Sequence, residues 1–388
     1  MNNFVLYNPT AILFGRGQVE AVGERMAPLG KNILLLSGGA SAERGGLLAR
    51  VREKLRIAGV AVTDLSGVRP NPVIEKVREG VALCKSQRLD AVLSVGGGSV
   101  LDSAKVIAAG AAYEGDPWDL LAKKVKPATP LPVGCVLTLA ATGSEVNGNA
   151  VISNPATAQK LAWYHPHAYP RFSILDPELT FTVPRNQTAY GAVDIMSHVF
   201  EQYFHNAPST PLQDGFAETI LRTVIENAPR AMAKPDDYNA RANLLWASTL
   251  ALSGPVGAGV VGDWTCHMLE HELSAKYNIA HGAGLAVVYP AWMELMAPRK
   301  PERFRHYAVT VWGIDPRGRD DLAVAREGVA ATRAFFRDTL GVGVRLADYG
   351  IGPDRLGEMA DAVYALKGPT GLGGLAREDL EKVYRGAV

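Results

Sequence analysis

Cysteine is scarce. The chain has three in 388 residues, Cys84, Cys135 and Cys266, odd in number and far apart. This excludes a disulfide framework and a zinc site of paired cysteines, and it points to a reducing compartment. Excess charge is missing too: 40 Lys and Arg stand against 39 Asp and Glu, a net of +1. No electrostatic case exists for nucleic acid or an anionic membrane as a partner. No apolar run approaches membrane-spanning length. The opening MNNFVLYNPT has neither a basic leader before an apolar stretch nor a cleavage signal, so a cytoplasmic protein is expected. Repeats and low-complexity tracts are absent, and the glycine segment from Gly96 to Lys105 satisfies neither standard nucleotide fingerprint, GxGxxG or GxxxxGKS/T.

What is present is a globular composition, 47% hydrophobic and 20% charged, in a chain long enough to expect two domains. The first half alternates strand and helix signals. Residues 4–14 alternate loosely and end in Phe14-Gly15-Arg16-Gly17, a strand and turn, and residues 18–30 look helical. Asn32–Leu36 and Ala91–Val95 are short apolar runs suited to strands buried on both faces of a parallel sheet, with Val60–Leu65 a further strand and helices to about Ala58 and over 73–87. This alternation predicts a doubly wound, Rossmann-like α/β domain over residues 1–183. From Pro184 the pattern turns helical, over 186–204, 212–232, 240–258, 263–277, 285–297 and 321–340, which predicts an all-α domain over 184–388.

Three strand ends carry glycine, hydroxyls or both: Ser37-Gly38-Gly39-Ala40-Ser41, Gly96-Gly97-Gly98-Ser99, and Thr138 to Ser144. Ligands of open α/β sheets sit beyond the carboxyl ends of the strands, and glycine lets backbone amides approach a phosphate at a helix N-terminus. The three turns are placed to share one elongated ligand, and a dinucleotide is the natural candidate. A tight turn that merely needs glycine is the plainer alternative. Lys160 is a candidate for a ribose or phosphate contact, or else an ordinary exposed lysine.

In the helical half, Asp194 and His198 are four residues apart, as are His267 and His271. On a helix this spacing stacks side chains on one face, where two can reach one ion. His281 follows in His281-Gly282-Ala283-Gly284, read as a glycine-bearing turn. Carboxylate and imidazole ligands suit zinc or ferrous iron, although histidines in apolar helices are also commonly hydrogen-bonded core residues. Metal candidates lie in one half and nucleotide candidates in the other, so the cleft between two domains is the expected active site.

Taken together, Gly96-Gly97-Gly98-Ser99 with Asp102 and Lys105, Thr138-x-x-x-Thr142-Gly143-Ser144-Glu145, and the Asp194/His198/His267/His281 set with His271 resemble the iron-containing (group III) alcohol dehydrogenases over nearly the whole chain. Tyr7-Asn8-Pro9-Thr10, Pro70-Asn71-Pro72 and Arg241-Ala242-Asn243 resemble its butanol dehydrogenase-like branch of NADPH-dependent aldehyde reductases. The resemblance implies a dehydroquinate synthase-like fold and an NADP-dependent alcohol dehydrogenase acting on a broad range of small primary alcohols and aldehydes. It implies one divalent metal, zinc or iron, on Asp194, His198, His267 and His281, with His271 off the metal; on the same helix face as His267, His271 is placed to pass a proton, or else only orients a ligand. It also implies a homodimer, paired through N-terminal strands. The expected cofactor contacts are Gly38, Gly39, Ser41, Asn71, Gly97, Gly98, Ser99, Asp102, Thr138, Thr142, Ser144, Val151, Lys160 and Leu179. NADP(H) is expected over NAD(H) because no acid follows the first nucleotide strand until Glu43, and a carboxylate there would repel a 2′-phosphate. Two other classes compete: a metal- and NAD-dependent lyase of the dehydroquinate synthase kind, which would need more cations around the ligands, and a metal-dependent hydrolase, which would leave the glycine turns unexplained.

Overall fold

The computed structural model describes all residues except 40–42, 44, 124, 369, 370 and 373. The chain forms two compact units, one of Tyr7–Val183 with Asp236–Thr249, the other of Met1–Leu6, Pro184–Pro235 and Leu250–Val388. A single boundary at Val183/Pro184 would assign two of these segments otherwise: Met1–Leu6 belongs with the helices and Asp236–Thr249 with the sheet.

The first unit is built on six parallel strands, β1 (Ala11–Phe14), β2 (Asn32–Ser37), β3 (Ala61–Leu65), β4 (Ala91–Gly96), β5 (Val133–Leu137) and β8 (Phe172–Leu175), in the order β1-β8-β5-β4-β2-β3. Among the described residues, this unit carries the helices α1 (Val22–Met26), α2 (Leu47–Ile57), α3 (Ile74–Gln87), α4 (Gly98–Ala111), α5 (Trp118–Ala122) and most of α8 (Tyr238–Ala251). The apolar runs become strands because both faces find a core. Leu34, Leu36 and Val92 point into one cluster, while Ile33, Leu35, Ala91, Leu93 and Val95 point into the other, the two-residue alternation of a pleated strand. β2 pairs with β3 on one side and β4 on the other, so successive connections run in opposite directions from β2. That reversal opens the crevice at the strand ends where doubly wound sheets hold ligands.

Three sequence expectations change here. Residues 4–10 are not strand; pairing begins at Ala11, and Phe4 to Tyr7 are exposed. The helix expected over 18–30 is a 3-10 turn, Gln18–Ala21, followed by the five residues of α1. An antiparallel hairpin, β6 (Asn149–Asn154) and β7 (Gln159–Tyr164), was not foreseen.

The second unit is helical: α6 (Arg185–Tyr203), α7 (Pro211–Ala233), α9 (Thr265–Tyr277), α10 (His281–Met296), α11 (Pro301–Trp312), α12 (Asp321–Ala334), α13 (Leu356–Lys367) and α14 (Arg377–Gly386). α6 is its axis, with nearly every residue from Thr188 to Tyr203 buried, as expected for a helix packed all round. Phe200 and Phe204 at its end meet Tyr289, Trp292, Phe304 and Tyr307 in an aromatic core. No helix among the described residues is long and apolar enough to cross a membrane.

His281 is not in a turn: it opens α10. Its glycines serve close packing. A Cβ on Gly282 would stand 2.2 Å from the Tyr190 carbonyl oxygen of α6, and one on Gly284 2.8 Å from the Glu270 side chain of α9. Three helices are thereby drawn together at one point.

Candidate active site

In the sheet unit, β2, β4 and β5 are adjacent, so the three turns that follow them are neighbours. The Thr138 amide donates to the Gly96 carbonyl at 3.0 Å, tying the ends of β5 and β4. Gly97 precedes α4 and Gly98 opens it; a Cβ on Gly98 would lie 2.4 Å from Thr142 Oγ1. Only glycine lets these two turns touch. Ser144 stands beyond Gly143, whose φ of 59° is the left-handed conformation glycine favours, and its amide donates to Thr142 Oγ1 at 3.3 Å. Gly38 is half-buried, while Gly39 is exposed with open space where a Cβ would point. Ser41 lies outside the described residues. Glu43, the nearest acid, is held by Arg52 at 3.1 Å.

The other expected contacts are placed as follows. Asp102 accepts from Ser144 Oγ at 2.6 Å and from the Val151 amide at 2.9 Å, so it braces the turn region from within. Lys160 is buried, not exposed, and donates to Asn71 Oδ1 at 3.2 Å; Asn71 has φ of 50°. Ser99 is half-buried near the start of α4. Leu179 packs from a 3-10 turn onto the sheet's second core cluster.

In the helical unit, Asp194, His267 and His281 each bring a ligand atom within 4.8 Å of the others'. The three come from α6, α9 and α10. Asp194 Oδ1 stands 3.6 Å from both His198 Nε2 and His281 Nε2, and the His198 ring stacks on His267 at 4.9 Å. Asp194 Oδ1 and His267 Nε2 are buried without a hydrogen-bond partner. Buried polar atoms without partners are rare and costly, and a cation between them is the economical explanation. The donor set fits a divalent metal of the zinc or ferrous kind. His271 lies outside this group, buried, with its ring 5.8 Å from that of His281.

Two residues that the sequence reading missed complete the geometry. Glu201 of α6 accepts from the His267 amide at 3.0 Å and meets His267 Nδ1 at 2.8 Å. Glu270 of α9 meets His281 Nδ1 and also Ser274 Oγ. Both carboxylates are buried. Each takes the far ring nitrogen of a histidine and leaves Nε2 facing Asp194's neighbourhood, which fixes the tautomer a cation requires. Trp264 caps α9 with φ of 60°, an uncommon backbone for a bulky residue. Its ring meets His267 edge-on at 5.4 Å. The turn is held by Asp263, whose carboxylate accepts from the Thr265 and Leu372 amides and whose own amide donates to the Glu201 carbonyl. Burial pushes the Asp263 carboxyl up to about 6.

Comparison with known proteins agrees with both halves. A model of iron-containing alcohol dehydrogenase matches residues 9–177, and a model of the C-terminal part of the Fe-containing alcohol dehydrogenase family matches residues 188–388. The chain is 49% identical to a probable NADH-dependent butanol dehydrogenase 1 of Bacillus subtilis, over 94% of each chain. It is 44% identical to the NADPH-dependent aldehyde reductase YqhD of Escherichia coli, over 90% of each. The crystal structure of NADH-dependent butanol dehydrogenase A from Thermotoga maritima superposes with a TM-score of 0.96 at 42% identity, covering 100% of this chain and 99% of that one. Two family models that together span nearly the whole chain, and relatives this similar along their full length, leave one assignment: the chain belongs to the iron-containing alcohol dehydrogenase family.

Proposed function

We propose that this protein is a metal-dependent alcohol dehydrogenase and aldehyde reductase of the butanol dehydrogenase type, acting on a range of small primary alcohols and aldehydes. The carrying observation is the convergence of Asp194, His267 and His281, two of them with partnerless buried ligand atoms, backed by the Glu201 and Glu270 carboxylates. His198 is the fourth ligand of this reading. When bound, the cation supplies a Lewis acid for the carbonyl oxygen and the reduced nicotinamide supplies the hydride. Glu201 and Glu270 orient the ligand rings. His271, one helical turn beyond His267, holds the proton that the product hydroxyl requires. Replacing it, His271→Asn, lowers turnover by about a hundredfold and changes the pH profile; full turnover with an unaltered profile would discard that role.

NADP(H) is the proposed cofactor. In support, the turn after β2 offers Gly38 and an open Gly39, and Glu43 is occupied by Arg52. NADH is the competing reading, favoured by the names of two of the relatives above. A homodimer through the N-terminal segment is proposed because Phe4, Val5 and Leu6 in succession are exposed apolar side chains, which is surface that a partner would cover. Three buried, unpaired cysteines support a cytoplasmic setting. The decisive assay follows 340 nm absorbance with butyraldehyde and NADPH, then NADH, with and without chelator. Oxidation of NADPH well above NADH, lost on chelation, is the expected result. Strong NADH oxidation would overturn the cofactor preference alone; no oxidation of either, with zinc or iron bound, would favour the lyase.

A further inference from the structure

His281, which opens α10, has a partner on each edge of its ring. Nε2 stands 3.6 Å from Asp194 Oδ1, on the side of the metal group described above, while Nδ1 meets a carboxylate oxygen of Glu270. His271, the residue after Glu270 on α9, is buried, and its ring centroid lies 5.8 Å from that of His281. Glu270, His271 and His281 therefore bring a second set of three ligand atoms within 4.8 Å of one another. A carboxylate and two imidazoles are donors of the same kinds as in the first group, and they suit the same borderline divalent cations. His281 is the member shared by both sets. Its side chain is 25% exposed where that of Glu270 is fully buried, so an ion enters past this ring.

Charge balance favours a second occupant. Asp194, Glu201 and Glu270 are buried carboxylates. Ionised, they carry three negative charges, of which one divalent cation offsets two, and uncompensated charge in a protein interior is expensive. Glu270, an acceptor when ionised, keeps the His281 proton on Nδ1. A cation that takes this proton's place sends it to solvent, as ligation at a protonated nitrogen must. The ring is then an imidazolate shared by two cations, and the group as a whole is neutral.

We propose that Glu270, His271 and His281 form a second cation site, weaker than the first, which zinc fills when in excess and which inhibits the enzyme. This rests on the reading of the Asp194 group as the metal centre and of His271 as the residue that holds the product's proton. The second site is the weaker because it has three protein ligands instead of four and must release a proton before it can bind. A cation here occupies the His271 nitrogen lone pair, so the imidazole no longer exchanges a proton with the product hydroxyl. It also turns Glu270 from the carboxylate that orients His281 into a ligand. The first equivalent of metal activates this protein, and an excess of the same metal silences it.

The test titrates zinc into the metal-free protein against a chromogenic chelator, comparing wild type with His271→Ala and Asp194→Asn. Wild type is expected to bind two equivalents, one tight and one weak. His271→Ala is expected to lose the weak equivalent, and Asp194→Asn to lose the tight one and keep the weak one. Butyraldehyde reduction by the wild type rises with the first equivalent and falls by about a hundredfold with the second, the loss expected when the proton carrier is taken away. Crystals grown in excess zinc, measured at the zinc absorption edge, are expected to show two anomalous peaks, one on each edge of the His281 ring. A wild type that binds a single equivalent at saturation overturns the proposal, and so does a weak equivalent that survives His271→Ala. If that variant does not fold, the wild-type crystals decide: a single peak, or a second peak away from Glu270 and His271, overturns it. A wild type that binds neither zinc nor iron sinks the metal-centre reading instead.

Discussion

At the scale of single residues, the cluster of Asp194, His267 and His281 shows which side chains a pattern can reveal. Asp194/His198 and His267/His271 stand out because imidazoles and a carboxylate at four-residue spacing are unusual in apolar helices. Glu201 and Glu270 do not stand out, since a glutamate on a helix is ordinarily solvated. The available signal was position: each lies three residues after a proposed ligand, inside a run that is otherwise buried. Their role predicts a graded response. Glu201→Gln and Glu270→Gln keep the side-chain shape and lose the charge that steadies the ring, so zinc affinity falls by about 10- to 100-fold with the fold intact. Competition with a chromogenic chelator measures this; unchanged affinity in both variants would assign the two carboxylates to the core alone.

At the scale of elements, the buried strands were legible because a run such as Ile33-Leu34-Leu35-Leu36 leaves no solvent face. The β6–β7 hairpin was not, because its pattern of burial is irregular and Val73 and Pro72 lie against it from outside the hairpin. Glycine was the ambiguous letter. Gly96–Gly98 read as a turn and is one, whereas Gly282 and Gly284 read as a turn and are a helix face pressed against two others. The difference lies in partners distant in sequence, Tyr190 and Glu270, which local spacing does not display. Gly282→Ala puts its Cβ into backbone, so α10 must move away from α6, at a cost of about 1–3 kcal/mol. Because α10 carries His281 and α6 carries Asp194, bound metal should fall along with the melting temperature. A variant that melts lower but retains full metal affinity would show that the helix contact is not what sets the ligand distance.

At the scale of the whole molecule, the chain divides into two compact units. Their membership was harder to read, because α8 looks like any other helix of the second half. What commits it to the sheet is a set of contacts 100 and more residues back. The Thr249 hydroxyl donates to buried Glu145 at 2.6 Å, Trp246 packs edge-on against Phe14, and Arg16 lies over the Tyr238 ring. Glu145 has a second carboxylate oxygen buried without a partner, so Thr249 carries much of its satisfaction. Thr249→Val is expected to destabilise the protein by about 1–3 kcal/mol, read as a lower midpoint in urea. A fragment ending at Val183 should be soluble only poorly and should bind dye that reports exposed apolar surface; a cooperative, well-packed fragment would show that α8 is dispensable.

The Glu145–Thr249 bond also sets a timetable. A ribosome adds about 5–20 residues each second, so roughly 5–20 s separate the appearance of the glutamate from that of its threonine. During that interval the sheet exists as a sequence without its last helix, and Leu245 is not yet there to close the first core cluster. Nascent chains of this protein are therefore exposed to chaperones and to one another well past the point at which every strand has been synthesised, and codon choice between residues 183 and 249 becomes a lever on its yield.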